Sequence, residues 1–253
     1  MARAAHGVTG DAVPYQAVDW YPSGQKFALA TVIETWGSAP RRVGAQLAIS
    51  EAAEMAGSVS GGCVEGAVVA EALDAVEDGT PRVLDYGVSD DEAFAVGLAC
   101  GGRIRVLVEP IGIGQGWSVA ELEELVAARA ARRPMAMAVN MDTWQRRLIP
   151  FDGAARDPLI VAAKAALQAN RSTLHENWFI AAHTPPLKLV VVGAVHIAQA
   201  LISMAATAGY DAVVVDPRDA FAAEARFPGV RIERDWPDAA LASIGLDLGT
   251  AVV

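Results

Sequence analysis

The sequence predicts an α/β protein in which an N-terminal α+β domain is followed by a domain built around a parallel sheet. Three observations lead there. Residues 187–253 alternate continuous apolar strand segments with helical ones, the pattern of a parallel sheet with crossover helices. Residues 27–109 place strands and helices in a less regular order, as compact α+β domains do. The charge balance also changes near Pro110 and again near Pro185-Pro186, with most of the excess acid before the first of these points. The expected parts are therefore 1–110, a connecting scaffold at 111–186, and 187–253.

The first part begins with a polar stretch, then a strand over 27–35, where FALATVIET is rich in β-branched residues. The turn-forming Trp36-Gly37-Ser38-Ala39-Pro40-Arg41-Arg42 leads to a second strand over 44–50. After a short loop comes GSVSGGCVE and a helix over 64–78, whose Val64, Val68, Ala72, Ala75 and Val76 recur at helical spacing before Gly79. Strands follow at 82–86 and 103–109, with a short helix and a glycine turn expected between them in SDDEAFAVGLACGG.

IGIGQG, just after Pro110, reads as a hinge. The middle part predicts a helix over 118–132, a strand pair at 135–141 and 146–151, and a helix over 159–170. In the third part, strands are expected at 187–193, 211–216, 231–233 and 250–253, with helices at 196–208, 219–227 and 237–244. This is half of a Rossmann-like domain, ending in an apolar strand partway through the fold. A further C-terminal segment or another chain is expected to cover that side of the sheet.

Composition narrows the function. With 253 residues, 53% hydrophobic and 20% charged, the chain is globular rather than disordered. A formal net charge of −10 argues against nucleic acid or an anionic membrane as partner. Two cysteines, Cys63 and Cys100, are too few for a disulfide scaffold or a four-cysteine zinc site. His6, His175, His183 and His196 lack metal-ligand spacing, so no metal is assigned to protein ligands. MARAAHGVTGDAV has no apolar core of signal-peptide length, and the apolar run Leu187–Ala208 is broken by Lys188, Gly193, His196 and Gln199. The expected location is the cytoplasm, with no membrane span.

The candidate chemistry lies on two turns, Gly61-Gly62-Cys63 and Cys100-Gly101-Gly102. Glycines let successive N–H groups converge on an anion, and Cys63 opens the 64–78 helix, whose terminus favours thiolate. Both cysteines could also be small buried hydrophobes beside tight turns. Glu65 is either an acid/base or heterocycle acceptor, or a first-turn glutamate complementing the helix dipole. Arg41 and Arg42 are the obvious anion contacts in an acidic domain, or face water. Ser38, Ser58 and Ser60 have no histidine nearby in sequence, so a hydrolase triad has no support.

The third part carries a damaged nucleotide fingerprint. Gly193-Ala194-Val195-His196-Ile197-Ala198 stands against G-x-G-x-x-G/A, and Asp216 ends the next strand, where a ribose-binding carboxylate belongs. Val195 replaces the middle glycine, and a β-branched side chain there obstructs the approach of a pyrophosphate. The pattern supports the fold and weakens dinucleotide binding at Gly193 and Asp216.

Together these stretches resemble the XdhC/CoxI family, accessory proteins for xanthine dehydrogenase and related molybdenum hydroxylases. The matching segments are ETWGSAPRRVGAQLAIS, GSVSGGCVEGAVV, PRVLDYGVSDDEAFAVGLACGGRIRVLVEPI, and LVVVGAVHIAQAL with AGYDAVVVDPRDAFAAEARFP. The resemblance implies a chaperone that binds the molybdenum cofactor (molybdopterin) transiently, protects it and delivers it to an apo molybdenum hydroxylase. It further implies sulfuration with a cysteine desulfurase, self-association into a homo-oligomer, and Cys63 and Cys100 as motif cysteines. Ser60, Gly61, Gly62, Gly101, Gly102, Arg41 and Glu65 join them as the expected cofactor-binding set. The polarised amides of such turns suit an anion, and thiolates suit the sulfurs or the metal. Two other readings remain: an NAD(P)-dependent oxidoreductase using the third part, and an inactive regulator that only docks on a partner.

Overall fold

The structure is a computed structural model that describes residues 13, 20, 25–87, 102–152, 156–247 and 249–253. The short helix expected within 89–102, together with Cys100 and Gly101, lies outside the described residues except for Gly102. The chain divides into two compact units, one within 12–185 and one formed by 186–253.

In the first unit, β1 (Phe27–Trp36), β2 (Gln46–Ser50), β3 (Met55–Gly57), β4 (Arg82–Tyr86) and β5 (Arg103–Ile111) form an antiparallel sheet in the order β3-β2-β1-β5-β4. Helix α1 (Glu65–Asp78) lays Val68, Ala72, Ala75 and Val76 on one face, against Ala28, Ala30 and Val32 of β1 and Val106 and Val108 of β5. It stops at Gly79, whose φ of 71° is left-handed. The pairing of β1 with β5 shifts between Val32 and Glu34, so that Ile33 is an extra residue.

The opposite face packs on the middle part of the chain. Helix α2 (Val119–Ala130) starts in a capping box of Ser118 and Glu121. The strands β6 (Met135–Asn140), β7 (Arg146–Pro150), β8 (Thr173–His175) and β9 (Trp178–His183) form a second antiparallel sheet in the order β7-β6-β9-β8. Helix α3 (Pro158–Gln168), with Asp157 as N-cap and Pro158 in its first turn, covers the outer side of that sheet. Phe27, Leu29 and Leu107 share one core with Leu122, Leu125, Met137 and Phe179, so residues on either side of Pro110 fold as one unit. IGIGQG is no hinge between them. The Gln115 amide donates to the Gly79 carbonyl at 2.8 Å, and the Gly112 amide donates to the Trp117 carbonyl at 2.7 Å, which ties the loop to the end of α1 and to a fully buried tryptophan.

The second unit has a parallel sheet of β10 (Lys188–Val192), β11 (Asp211–Val215), β12 (Arg231–Glu233) and β13 (Thr250–Val252), in the order β12-β11-β10-β13. Helix α4 (His196–Thr207) joins β10 to β11, and α5 (Pro237–Ile244) precedes β13. The strand order reverses beside β10, the arrangement of a Rossmann domain. The helix expected over 219–227 forms only a 3₁₀ turn, Glu224–Arg226. Arg226 at its end donates to the Phe221 and Ala194 carbonyls at 2.6 and 2.7 Å, which ties this turn to the loop after β10.

Candidate functional site

The loop of residues 57–63 closes on a carboxylate of its own chain. Glu65, the first residue of α1, turns back so that Oε1 accepts from Ser58 Oγ at 2.8 Å and from the amides of Val59, Ser60 and Gly61 at 3.3, 2.9 and 3.0 Å. Oε2 accepts from the Gly62 amide at 2.8 Å and from the Ser60 hydroxyl, which in turn accepts from the Val64 amide at 3.0 Å. Four backbone donors and two hydroxyls thus converge on one anion. Gly61 and Gly62 make this possible with φ of 79° and 117°. Burial pushes the Glu65 carboxyl up, but hydrogen bonds from the Ser60 side chain and amide and from Ser58 outweigh it and bring the carboxyl down to about 2. The N–H cradle expected for an outside anion is therefore filled from within, and Glu65 is an ionised structural acceptor rather than a poised acid/base.

A second loop, 37–45, lies against Gly61 of one glycine motif and Gly102 of the other. Arg41 Nε donates to the Ser58 carbonyl at 3.2 Å, and Pro40 lies beside Gly61, 3.7 Å from where a Cβ would stand. At its other end, Gly102 is pressed against the same loop: a Cβ there would meet the Ser38 carbonyl at 2.5 Å and that of Trp36 at 3.2 Å. Gly61 and Gly102, from the two predicted motifs, thus border one loop. Arg41 serves as its internal clip, whereas Arg42 is exposed. Cys63 is half-buried against the core under α1. A Cβ added at Gly62 or Gly66 would meet nothing within 4 Å, so the mouth of α1 is open on that side.

Sequence reasoning missed the polar ladder beside this loop. Trp36 and Arg103 are register partners across β1 and β5, as are Glu34 and Arg105. The Arg103 guanidinium lies over the Trp36 ring, 5.0 Å from its centroid, and donates to both oxygens of Asp85 at 2.8 and 2.5 Å. That bond holds the Asp85 carboxyl below its usual range. Glu34 pairs with Arg105 in the next rung. The signal was the alternation of Glu34 with Trp36 and of Arg103 with Arg105 at the ends of two strands.

In the parallel-sheet unit the fingerprint residues meet each other. Asp216 is 1% exposed. Its Oδ2 accepts from the Ala194 amide and from Arg218, both at 2.8 Å, and its Oδ1 accepts from the Arg218 amide and side chain, both at 2.9 Å. The Arg218 bond holds the Asp216 carboxyl well below the usual carboxylate range. Gly193 turns with φ of 110°, and Val195 is 37% exposed at the N-cap of α4. Asp216 therefore ties two loops of its own chain together.

Among the described residues, no group of three or more His, Cys, Asp or Glu is placed to hold a metal, and no helix is long and apolar enough to cross a membrane.

The profile of the XdhC and CoxI family matches residues 20–87, and that of the XdhC Rossmann domain matches 189–253. The chain is 30% identical over 200 residues to the molybdenum cofactor insertion chaperone PaoD of Escherichia coli (strain K12), covering 79% of this chain and 56% of that protein. It is 25% identical over 213 residues to a Bacillus subtilis (strain 168) protein described as a probable xanthine dehydrogenase subunit, covering 81% of this chain and 63% of the relative. The chain thus spans just over half the length of these relatives. A crystal structure described as a xanthine dehydrogenase from Bacillus halodurans superposes with a TM-score of 0.74 at 21% identity, covering 95% of this chain and 73% of that one. At that identity the likeness is one of fold.

Proposed function

Because the chain belongs to the XdhC and CoxI family, we propose that it is a maturation factor that carries the molybdenum cofactor as cargo, protects it and hands it to a xanthine dehydrogenase-type apo-hydroxylase. The observation that carries this reading is that Gly61 packs beside Pro40 and Gly102 beside Trp36 and Ser38, which brings one residue of each predicted turn to the same short segment at the end of β1. The name of the PaoD relative, a molybdenum cofactor insertion chaperone, supports the choice of cargo.

The residues present suit such a cargo. Arg42 is exposed and offers a charge to its phosphate, Cys63 offers a soft sulfur near its dithiolene, and open space at Gly62 and Gly66 leaves room at the mouth of α1. The 59–62 amides are not part of this set, because Glu65 holds them. The reading assigns the chain no turnover chemistry and a cytoplasmic place of work. Sulfur delivery by a cysteine desulfurase and self-association belong to it and rest on the family alone.

Gel filtration after anaerobic incubation with molybdopterin, followed by pterin fluorescence, tests it. The unmutated chain is expected to carry pterin through the column and to restore activity to an apo-hydroxylase. Elution without pterin would sink the reading. Cys63→Ala and Cys100→Ala are expected to retain less, and equal retention would remove the cysteines from the site while leaving the cargo.

A further inference from the structure

Trp36 closes β1 beside the candidate loop, yet 44% of it is exposed. Its backbone is fixed by pairing with Arg103 in the ladder of β1 and β5. On one face of the ring lies the Arg103 guanidinium, which cannot swing freely because Asp85 accepts two of its N–H groups. Both layers of the stack are ordered before any ligand arrives, so a third layer would bind at little further entropic cost. Glu34 and Arg105 pair on the same side, so the charges of these two rungs, Arg103 with Asp85 and Arg105 with Glu34, cancel among the described residues.

A preorganised aromatic face suits a flat heteroaromatic ring better than a greasy chain. Its electron-rich surface stacks on ring systems whatever their substituents, and the guanidinium behind it adds a cation–π layer. The occupied cradle sharpens the point. With the Ser60, Gly61 and Gly62 amides given to Glu65, anion binding at this rim falls to exposed arginine, and the ring of the cargo is the part still without a holder.

We propose that Trp36, backed by Arg103, is the stacking platform for the pterin ring of the cofactor, an inference that rests on the molybdenum-cofactor reading. Trp36 lies on the sheet face away from α1 and Cys63 on the α1 side, which assigns the ring and the sulfur end of the cargo to opposite sides of the rim capped by the 37–45 loop.

Two probes test it on the full chain: molybdopterin, and a plain pterin that lacks dithiolene and phosphate. Pterin emission should be quenched on binding to the unmutated protein. Trp36→Ala should weaken plain-pterin binding roughly tenfold or more, and Trp36→Phe should restore most of it. Thermal unfolding of the variants, expected to match the unmutated chain, separates lost stacking from lost fold. If Trp36→Ala holds both probes as tightly as the unmutated protein, the platform is overturned while the cofactor reading stands. If the unmutated chain quenches plain pterin, Trp36→Ala does not, and molybdopterin is never retained, the platform stands and the cofactor reading falls. Binding of neither probe by the unmutated chain overturns both.

Discussion

Ser60 and Glu65 are tied twice: the Ser60 amide donates to Oε1 at 2.9 Å and the Ser60 hydroxyl donates to Oε2. These bonds favour the charged carboxylate, which fixes the sign of its pH dependence. The group titrates near its usual 4.5 in the unfolded chain and at about 2 in the fold. Its contribution to stability is complete above pH 4.5 and is lost as pH falls from there toward 2. Glu65→Gln should therefore be less stable than the unmutated protein at pH 7, with the gap narrowing by pH 3. Urea midpoints at pH 7, 4.5 and 3 decide it, and a gap independent of pH would contradict the assignment.

His183 should act in the same acid range through the opposite charge. Burial, with Arg129 nearby, brings its imidazole down from 6.5 to about 3, and its Nε2 is buried without a hydrogen-bond partner. It is neutral in the fold, so protons bind the unfolded chain first, and stability falls as pH drops from 6.5 toward 3. His183→Leu should flatten that slope. Unfolding midpoints between pH 7 and 4 that fall as steeply as before would refute it.

Glu109 is 3% exposed, and Arg146 donates to it from two nitrogens at 3.1 and 2.8 Å while the Trp117 indole donates at 3.2 Å. This pair fastens β5 to β7 inside the shared core. Arg146→Ala should cost about 3–5 kcal/mol, because it strands a buried carboxylate. Chemical denaturation gives the number, and a loss below about 1 kcal/mol would show that water reaches Glu109 readily.

Gly102→Ala places a methyl against the Ser38 carbonyl, which is backbone and cannot rotate away. The 37–45 loop must move, and cofactor retention is expected to fall further than thermal stability does. Retention at the unmutated level would show that this loop does not line the site.

Asp216 has all its near donors supplied by Ala194 and Arg218. Titration calorimetry with NAD(H) or NADP(H) is therefore expected to give no saturable heat, and Arg218→Ala should lower the unfolding midpoint of the parallel-sheet unit. A saturable heat abolished by Asp216→Ala would restore the oxidoreductase reading.

The Rossmann unit is legible in the sequence because its strands are uninterrupted apolar runs, such as Leu189–Val192 and Ala212–Val215, separated by turn residues. Strands β8 and β9 are not, even though Trp178–His183 is apolar, because the preceding turn is carried by Glu176 at φ 52° rather than by glycine. Gly61, Gly62 and Cys63 stand out by their spacing. What occupies their amides does not, since the same residue type fills an anion cradle and complements a helix dipole. Trp36 reads locally as one aromatic beside a turn. Its meaning comes from Arg103, far away in sequence, and from strand pairing that no local pattern records.

The extra residue Ile33 decides more than the bend of β1. Side chains alternate along a strand, so one irregular position reverses the parity of everything after it. Val32 packs on the α1 side, and in an unbroken register Glu34 and Trp36 would follow it there. Glu34 would then stand opposite Ile104 beneath the helix, and Thr35 would take the place opposite Arg103. Because the ladder absorbs Ile33 on the far side, both polar rungs face away from α1 instead. Which side of the protein carries the indole is thus set by a residue count rather than by a residue type.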